Sequence, residues 1–112
     1  MAKKVLEIME TEGPRQAGAA GLSGLTAHTL ALARAGADVH LLLRGNAVRC
    51  GQSDGRDGDI ASLVQRGADV YYVEEDARAR CIAADQLLAG LKPVRSDELP
   101  ALLHGYDQIW RW

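Results

Sequence analysis

The sequence has no basic run, no long apolar segment and no cysteine framework, and each absence removes a class of function. Its 112 residues carry a formal charge of −2, with arginines interspersed among carboxylates, which gives no reason to expect nucleic acid as a partner. Nothing nears the ~20 consecutive apolar residues of a membrane span. The apolar stretch after Met1-Ala2-Lys3-Lys4 is also short for a secretory signal. No membrane association is expected, and the cytoplasm is the expected location. Two cysteines, Cys50 and Cys81, cannot form a disulfide framework. They have neither CxxC spacing nor a histidine at ligand spacing, so no metal site is expected.

Two further motifs are missing. Gly18, Gly21 and Gly24 follow GxxGxxG rather than the GxGxxG of a dinucleotide loop, and no GK[ST] follows them. Arg44 stands where an acidic residue would end the second strand of a nucleotide-binding unit. No cofactor is expected. The histidines form no Ser/His/Asp pattern. His28 lies beside Leu25 and Leu32 on a helix, His40 is inside a strand, and His104 falls at a helix C-terminus, where positive charge is favoured.

What is present is a globular composition: 47% hydrophobic and 25% charged residues on a chain long enough to bury its own core. Lys3 to Met9 is a short apolar run typical of a buried first strand. A Gly- and Ala-rich stretch from Glu10 to Ser23 leads into a helix that begins before Leu25 and runs to Ala35, with Leu22, Leu25, Thr29 and Leu32 on one face and Gly36 as its stop. Asp38 to Arg44 is apolar on both faces apart from His40, as the middle of a parallel sheet requires. Gly45 to Gly58 reads as a long loop. Asp59 is placed as the cap of a short helix with Ile60, Leu63 and Val64 inward and Gly67 as its stop. Asp69 to Glu74 reads as a third strand, Glu75 to Gly90 as one broken or two short helices, and Lys92 to Arg95 as a fourth strand. Ser96 or Asp97 is placed as the cap of a last helix with Pro100 in its first turn. Leu99, Leu102 and Leu103 are expected to face the core, and Tyr106 to Trp112 to close the chain as a strand. The joints Ala35-Gly36-Ala37-Asp38-Val39 and Arg66-Gly67-Ala68-Asp69-Val70 look like one αβ turn used twice. Strands alternating with helices predict a single three-layer α/β/α domain over residues 1–112, with a mostly parallel sheet of about five strands.

In such sheets ligands bind beyond the carboxyl ends of the strands. The segments leaving those ends carry Cys50 and Cys81, together with Arg15, Asn46, Arg49, Arg78 and Arg80. A thiol beside arginines is more nucleophilic, whereas a buried cysteine simply packs; both readings stay open here. Glu74 with Arg78, and Asp76 with Arg80, stand at i,i+4 and are expected to pair along an exposed helix. Trp110 and Trp112 alternate onto one strand face, either as core or as an association surface.

Order and spacing together resemble the DsrE/DsrF-like proteins, which include the sulfur-relay subunits related to TusD. The resemblance is carried by the turn Thr11-Glu12-Gly13-Pro14, the segment Ala35-Gly36-Ala37-Asp38-Val39-His40-Leu41-Leu42-Leu43, and Gly45-Asn46-Ala47-Val48. It continues through Asp69–Val73, Ala79-Arg80-Cys81-Ile82, Leu87, Gly90 and Asp107-Gln108-Ile109. It implies a small flavodoxin-like fold, assembly into homo-oligomers (trimers or hexamers), and a cysteine after the third strand that carries sulfur as a persulfide. Many relatives place that cysteine a few residues before an Arg-Gly-Ile. Here Asp76 stands near that place and Cys81 replaces the glycine. Either the nucleophile has shifted to Cys81, with Arg78 or Arg80 stabilising its thiolate and Cys50 as a second or resolving thiol, or this chain has lost the chemistry; by their position at the strand edge Arg78, Arg80, Asn46 and Arg15 are the expected substrate-binding groups. The partner would be a sulfur donor or acceptor protein. The alternative is a non-catalytic oligomeric subunit of the same fold that binds a ligand or partner.

Overall fold

The structure, a computed structural model, describes residues 3–10, 29, 31, 34–52 and 58–111. Five strands form one sheet: β1 (Lys4–Met9), β2 (Asp38–Leu43), β3 (Asp69–Val73), β4 (Lys92–Val94) and β5 (Gln108–Arg111). Their order is β4-β3-β2-β1-β5, and every neighbouring pair is parallel. Three α-helices are described in full: α1 (Gly58–Gln65), α2 (Glu74–Ala79) and α3 (Leu99–His104). The predicted α/β class and five-stranded parallel sheet are both present.

β1 and β2 are central, and after their first residue every side chain is buried. A parallel strand covered on both faces needs this near-continuous apolar run. Alternation then sends Leu41 and Leu43 to one face with Val48, Ile60, Leu63 and Ala77. Leu6, Ile8, Leu42 and Val73 go to the other, under Leu99 and Leu103 of α3. The strand order explains the two layers. Steps from β1 through β4 all run the same way, whereas β4 to β5 crosses back over the sheet. Right-handed crossovers in opposite directions put their helices on opposite faces.

The two similar αβ joints are real copies. Gly36 and Gly67 have φ of +93° and +88°. Around Gly67 the N–H of Ala68 donates to Leu63 O (3.0 Å) and that of Gly67 to Val64 O (3.0 Å), a Schellman motif with its left-handed residue supplied by glycine. The first helix is described at Thr29, Ala31 and Arg34 only. Leu22, Leu25, Leu32, His28 and the glycines at 18, 21 and 24 lie outside the described residues.

Several local expectations are corrected. The first half of the expected Gly45–Gly58 loop is a 3-10 segment, Gly45–Gly51, because Ala47 and Val48 bury their side chains against the sheet and draw the backbone into tight turns; residues 53–57 lie outside the described set. Helix α1 starts at Gly58, so Asp59 falls inside its first turn rather than at the cap. β3 stops at Val73 because Glu74 already opens α2. Ahead of α3, Ser96–Glu98 forms a 3-10 turn, and the capping contact is Arg95 N–H to Glu98 Oε1 (3.0 Å). Leu102 is half-buried and lines a shallow cleft with Tyr71 and Val94 instead of joining the core. β5 is confined to Gln108–Arg111, and Trp112 lies outside the described residues.

Two carboxylates tie outer elements to the sheet and predict an acid sensitivity. The Ser96 N–H donates to both Glu75 oxygens at 3.0 Å, which holds that carboxyl below its ordinary range. Lys92 Nζ donates to Asp69 Oδ1 (2.8 Å) and does the same for Asp69. Depressed carboxyls stabilise the fold above their unfolded values, about pH 4, and that contribution is lost as pH falls through the folded ones. Thermal unfolding midpoints should therefore drop between pH 5 and pH 3, and Glu75→Gln should show a smaller drop than wild type over the same interval.

Candidate functional site

The carboxyl ends of β2 and β3 open onto the 3-10 segment Gly45–Gly51 and onto α2, which pack against each other. Asp76 Oδ2 accepts the Gly45 N–H (2.7 Å), so the first turn of α2 fixes the start of the 3-10 segment. Gly45 has φ +58°, and a Cβ there would stand 3.0 Å from the Glu10 carbonyl oxygen at the end of β1. Only glycine fits that approach without strain. Arg80 completes the clamp: its Nε donates to Asn46 Oδ1 (2.9 Å) and its Nη1 to the Asp76 carbonyl (3.0 Å). The expected Asp76–Arg80 side-chain pair is therefore corrected, because the Gly45 amide takes the carboxylate instead. The Glu74–Arg78 pair does form, on the exposed side of α2.

Cys81 follows directly. It is exposed, and its φ of +57° makes it the sole non-glycine with positive φ among the described residues. The reason is local. Ile82 N–H donates to Ala77 O (2.9 Å) and Cys81 N–H to Arg78 O (3.0 Å), which is the Schellman motif that ends α1, with cysteine in the place of Gly67. Ile82 is buried behind it and anchors the turn. The thiol thus sits on a fixed corner at the C-terminus of α2, one residue from the Arg80 clamp.

Of the residues singled out in the sequence, the structure brings Asn46 and Arg80 together with Cys81 next in the chain, and it leaves Arg78 on the outer face of α2. Cys50 lies in the 3-10 segment on the same side of the sheet; its side chain is outside the described set, as is the whole of Arg15. Gly51, beside Cys50, is buried, and a Cβ there would lie 2.7 Å from Leu91 Cδ1 and 3.3 Å from Leu43 Cδ1. Gly51→Val should therefore cost about 1–3 kcal/mol, read as a lowered denaturant midpoint with unchanged slope.

Sequence reasoning undervalued two buried polar groups. Glu7, fully buried in β1, accepts a hydrogen bond from the buried Thr29 hydroxyl. A lone carboxylate in an apolar strand was the available signal. Beside it on β2, one residue off in register, His40 is 6% exposed. Its Nε2–H faces Asp38 Oδ1 (3.0 Å) and Asp69 Oδ2 (3.4 Å), which leaves Nδ1 to accept from Tyr106 Oη (2.5 Å). The order Tyr–His–Asp has the outline of a nucleophile, base and orienting group. Burial, with Tyr71 hydrogen-bonded beside it, pushes the Tyr106 hydroxyl well above its ordinary value. Tyr106 is therefore a tightly held proton donor, and the cluster acts as a tie between β2, β3 and the approach to β5.

Among the described residues no group of histidine, cysteine, aspartate and glutamate is arranged to hold a metal ion, and no helix is long and apolar enough to cross a membrane.

No family model matches the sequence, and no curated protein matches it. Solved structures do. The chain is similar to the ychN protein of E. coli over the full length of both chains, with a TM-score of 0.76 at 18% identity. It is also similar to a protein of unknown function, MTH1491 of Methanobacterium thermoautotrophicum, again over both full lengths, with a TM-score of 0.67 at 19% identity. A conserved protein of unknown function from Bacteroides thetaiotaomicron, BT1422, matches 96% of this chain and 94% of its own, with a TM-score of 0.70 at 15% identity. At such identities the likeness establishes the α/β fold of the whole chain and leaves its chemistry to its own residues.

Proposed function

We propose that this chain is a DsrE-like sulfur-relay protein in which Cys81 carries sulfur as a persulfide. The observation that supports it is the backbone of Cys81. An L-residue in the left-handed region is strained, and this chain uses glycine at the equivalent corner of α1. A strained, exposed thiol held where glycine would fit at lower cost is a reasonable mark of function. Its place beyond the carboxyl ends of a parallel sheet is where this architecture binds ligands.

The chemistry is thiol exchange. The Cys81 thiolate attacks the outer sulfur of a donor persulfide, R–S–SH. A new S–S bond forms at Cys81, the donor's S–S bond breaks, and the donor leaves as R–S⁻. An acceptor thiolate then removes the outer sulfur by the same step in reverse, so no external oxidant or reductant is needed. In this reading Arg80, the residue before Cys81 and held by Asn46 and the Asp76 carbonyl, supplies fixed positive charge on that corner, and Arg78 is proposed as a substrate-binding group on the outer face of α2. Arg15 and Cys50 are proposed as a further binding group and a resolving thiol, and the carrier as a homo-oligomer, trimer or hexamer.

One observation favours a second reading. Asp76, near the place where the resemblance puts a cysteine, is engaged by the Gly45 amide, and Arg78 and Arg80 already have partners. Such a chain could serve as a binding subunit with Cys81 idle. Intact mass after incubation with a small-molecule persulfide separates the two. A carrier gains one sulfur atom, and the gain disappears in Cys81→Ser but survives in Cys50→Ser. No gain in wild type, with Cys81 also inert to iodoacetamide in the native state, would leave the binding subunit.

A further inference from the structure

A 3-10 helix has three residues per turn, so side chains three apart stand one above the other. In the segment Gly45–Gly51 that period sorts the side chains. Ala47 and Val48 are buried, whereas Asn46 and Arg49, one turn apart, share the exposed face. Asn46 is also the residue that holds Arg80, whose Nε donates to its Oδ1 at 2.9 Å. The Arg80 guanidinium is therefore fixed on the face that Arg49 shares, and Arg49 follows Asn46 after about 6 Å of helical rise. One guanidinium comes from the 3-10 segment and the other from the end of α2, one residue before Cys81.

The carboxylates of α2 are engaged elsewhere: Asp76 takes the Gly45 amide (2.7 Å), and Glu74 takes Arg78. Among the described residues no carboxylate pairs with Arg49 or Arg80. Arg80 directs Nε to Asn46 and Nη1 to the Asp76 carbonyl (3.0 Å), both neutral acceptors. Those bonds fix the guanidinium plane and leave its charge uncompensated. Its remaining N–H donors keep the planar fork that matches a carboxylate. Like charges gathered on one face repel, and an anion held between them relieves the repulsion.

We propose that Arg49 and Arg80 form a carboxylate-binding clip, which docks an acidic segment of the protein that exchanges sulfur with Cys81. The identity of that partner rests on the carrier role of Cys81, whereas the clip itself does not. The occupant is a protein segment because the face is open: a single small carboxylate gains little from exposed charges, and several acids on one chain gain together. A chain of net charge −2 also discourages an acidic partner at large, so a local positive face orients its approach.

A dye-labelled pentapeptide, serine flanked by two glutamates on each side, probes the clip without sulfur chemistry. By fluorescence anisotropy, wild type should bind it more tightly than the same peptide with glutamine in place of glutamate. The difference should vanish at about 1 M salt, where screening reaches about 3 Å. Arg49→Gln should weaken binding about two- to fivefold, and Arg49→Glu should weaken it further. Arg66→Gln removes the same charge just ahead of β3, at the other end of the sheet, and should leave binding unchanged. With a cysteine persulfide in place of serine, the acidic peptide should load Cys81 faster than the neutral one, and Arg49→Gln should reduce that advantage. Equal binding of the two serine peptides, or equal losses in Arg49→Gln and Arg66→Gln, would overturn the clip. Binding that depends on Arg49, with no sulfur loaded from either persulfide, would uphold the clip and remove the carrier role.

Discussion

Cys81→Gly should unfold at a higher temperature than the wild type and should take up no sulfur. Relieving a left-handed L-residue is worth about 1–2 kcal/mol, and the extra freedom of glycine in the unfolded chain returns about 0.5–1. A net gain of about 1 kcal/mol corresponds to a rise of roughly 4–8 °C for a domain of this size. The Schellman hydrogen bonds from Cys81 and Ile82 involve backbone only and survive the change. Loss of uptake alongside gained stability would identify Cys81 as a residue retained for its thiol. A variant that is more stable and still loads sulfur would move the chemistry elsewhere, with Cys50 the next thiol to replace. No gain in stability would remove the backbone argument on which the carrier role rests, and calorimetry with intact mass reads both outcomes from one preparation.

Leu42→Ala should cost about 2–5 kcal/mol, the range for emptying a close-packed core site. Leu42 is fully buried in β2, between Ile8 and the β3 face, with α3 packed on its side of the sheet. Small domains have only about 5–15 kcal/mol in total, so the loss endangers the fold. Chemical denaturation of the variant should show a midpoint lowered by a large fraction of its value. The same substitution at the half-buried Leu102 of α3 should show a much smaller shift, since that side chain empties into an open cleft.

The fold was legible because its signal is periodic. Continuous apolar runs marked β1 and β2, and the paired Gly-Ala-Asp-Val joints marked two helix ends whose glycines do have positive φ. The 3-10 segment Gly45–Gly51 was not legible, since its turns are drawn in by Ala47 and Val48 packing on a sheet that the local sequence does not show. The site was half legible. Placing Cys81, Arg80 and Asn46 on one edge followed from strand order. That the Asp76 carboxylate would reach the Gly45 amide instead of Arg80 depended on a contact 31 residues away in sequence. His40 was read as an unremarkable strand residue, because its partners Asp69 and Tyr106 come from β3 and the approach to β5.

The position of β1 between β2 and β5 also sets an order in time. Its contact with β2 closes a modest loop, whereas the Lys4 amide and the Asp107 carboxylate that receives it are 103 residues apart. Ribosomes add about 5–20 residues per second. The second edge of β1 therefore stays bare for several seconds after its first edge can be covered. Throughout that interval the nascent chain exposes one edge of an interior strand of its future sheet, and anything that captures an unpaired strand competes with β5 for it. Slowing synthesis downstream of residue 94 should lengthen the competition without altering a single native contact.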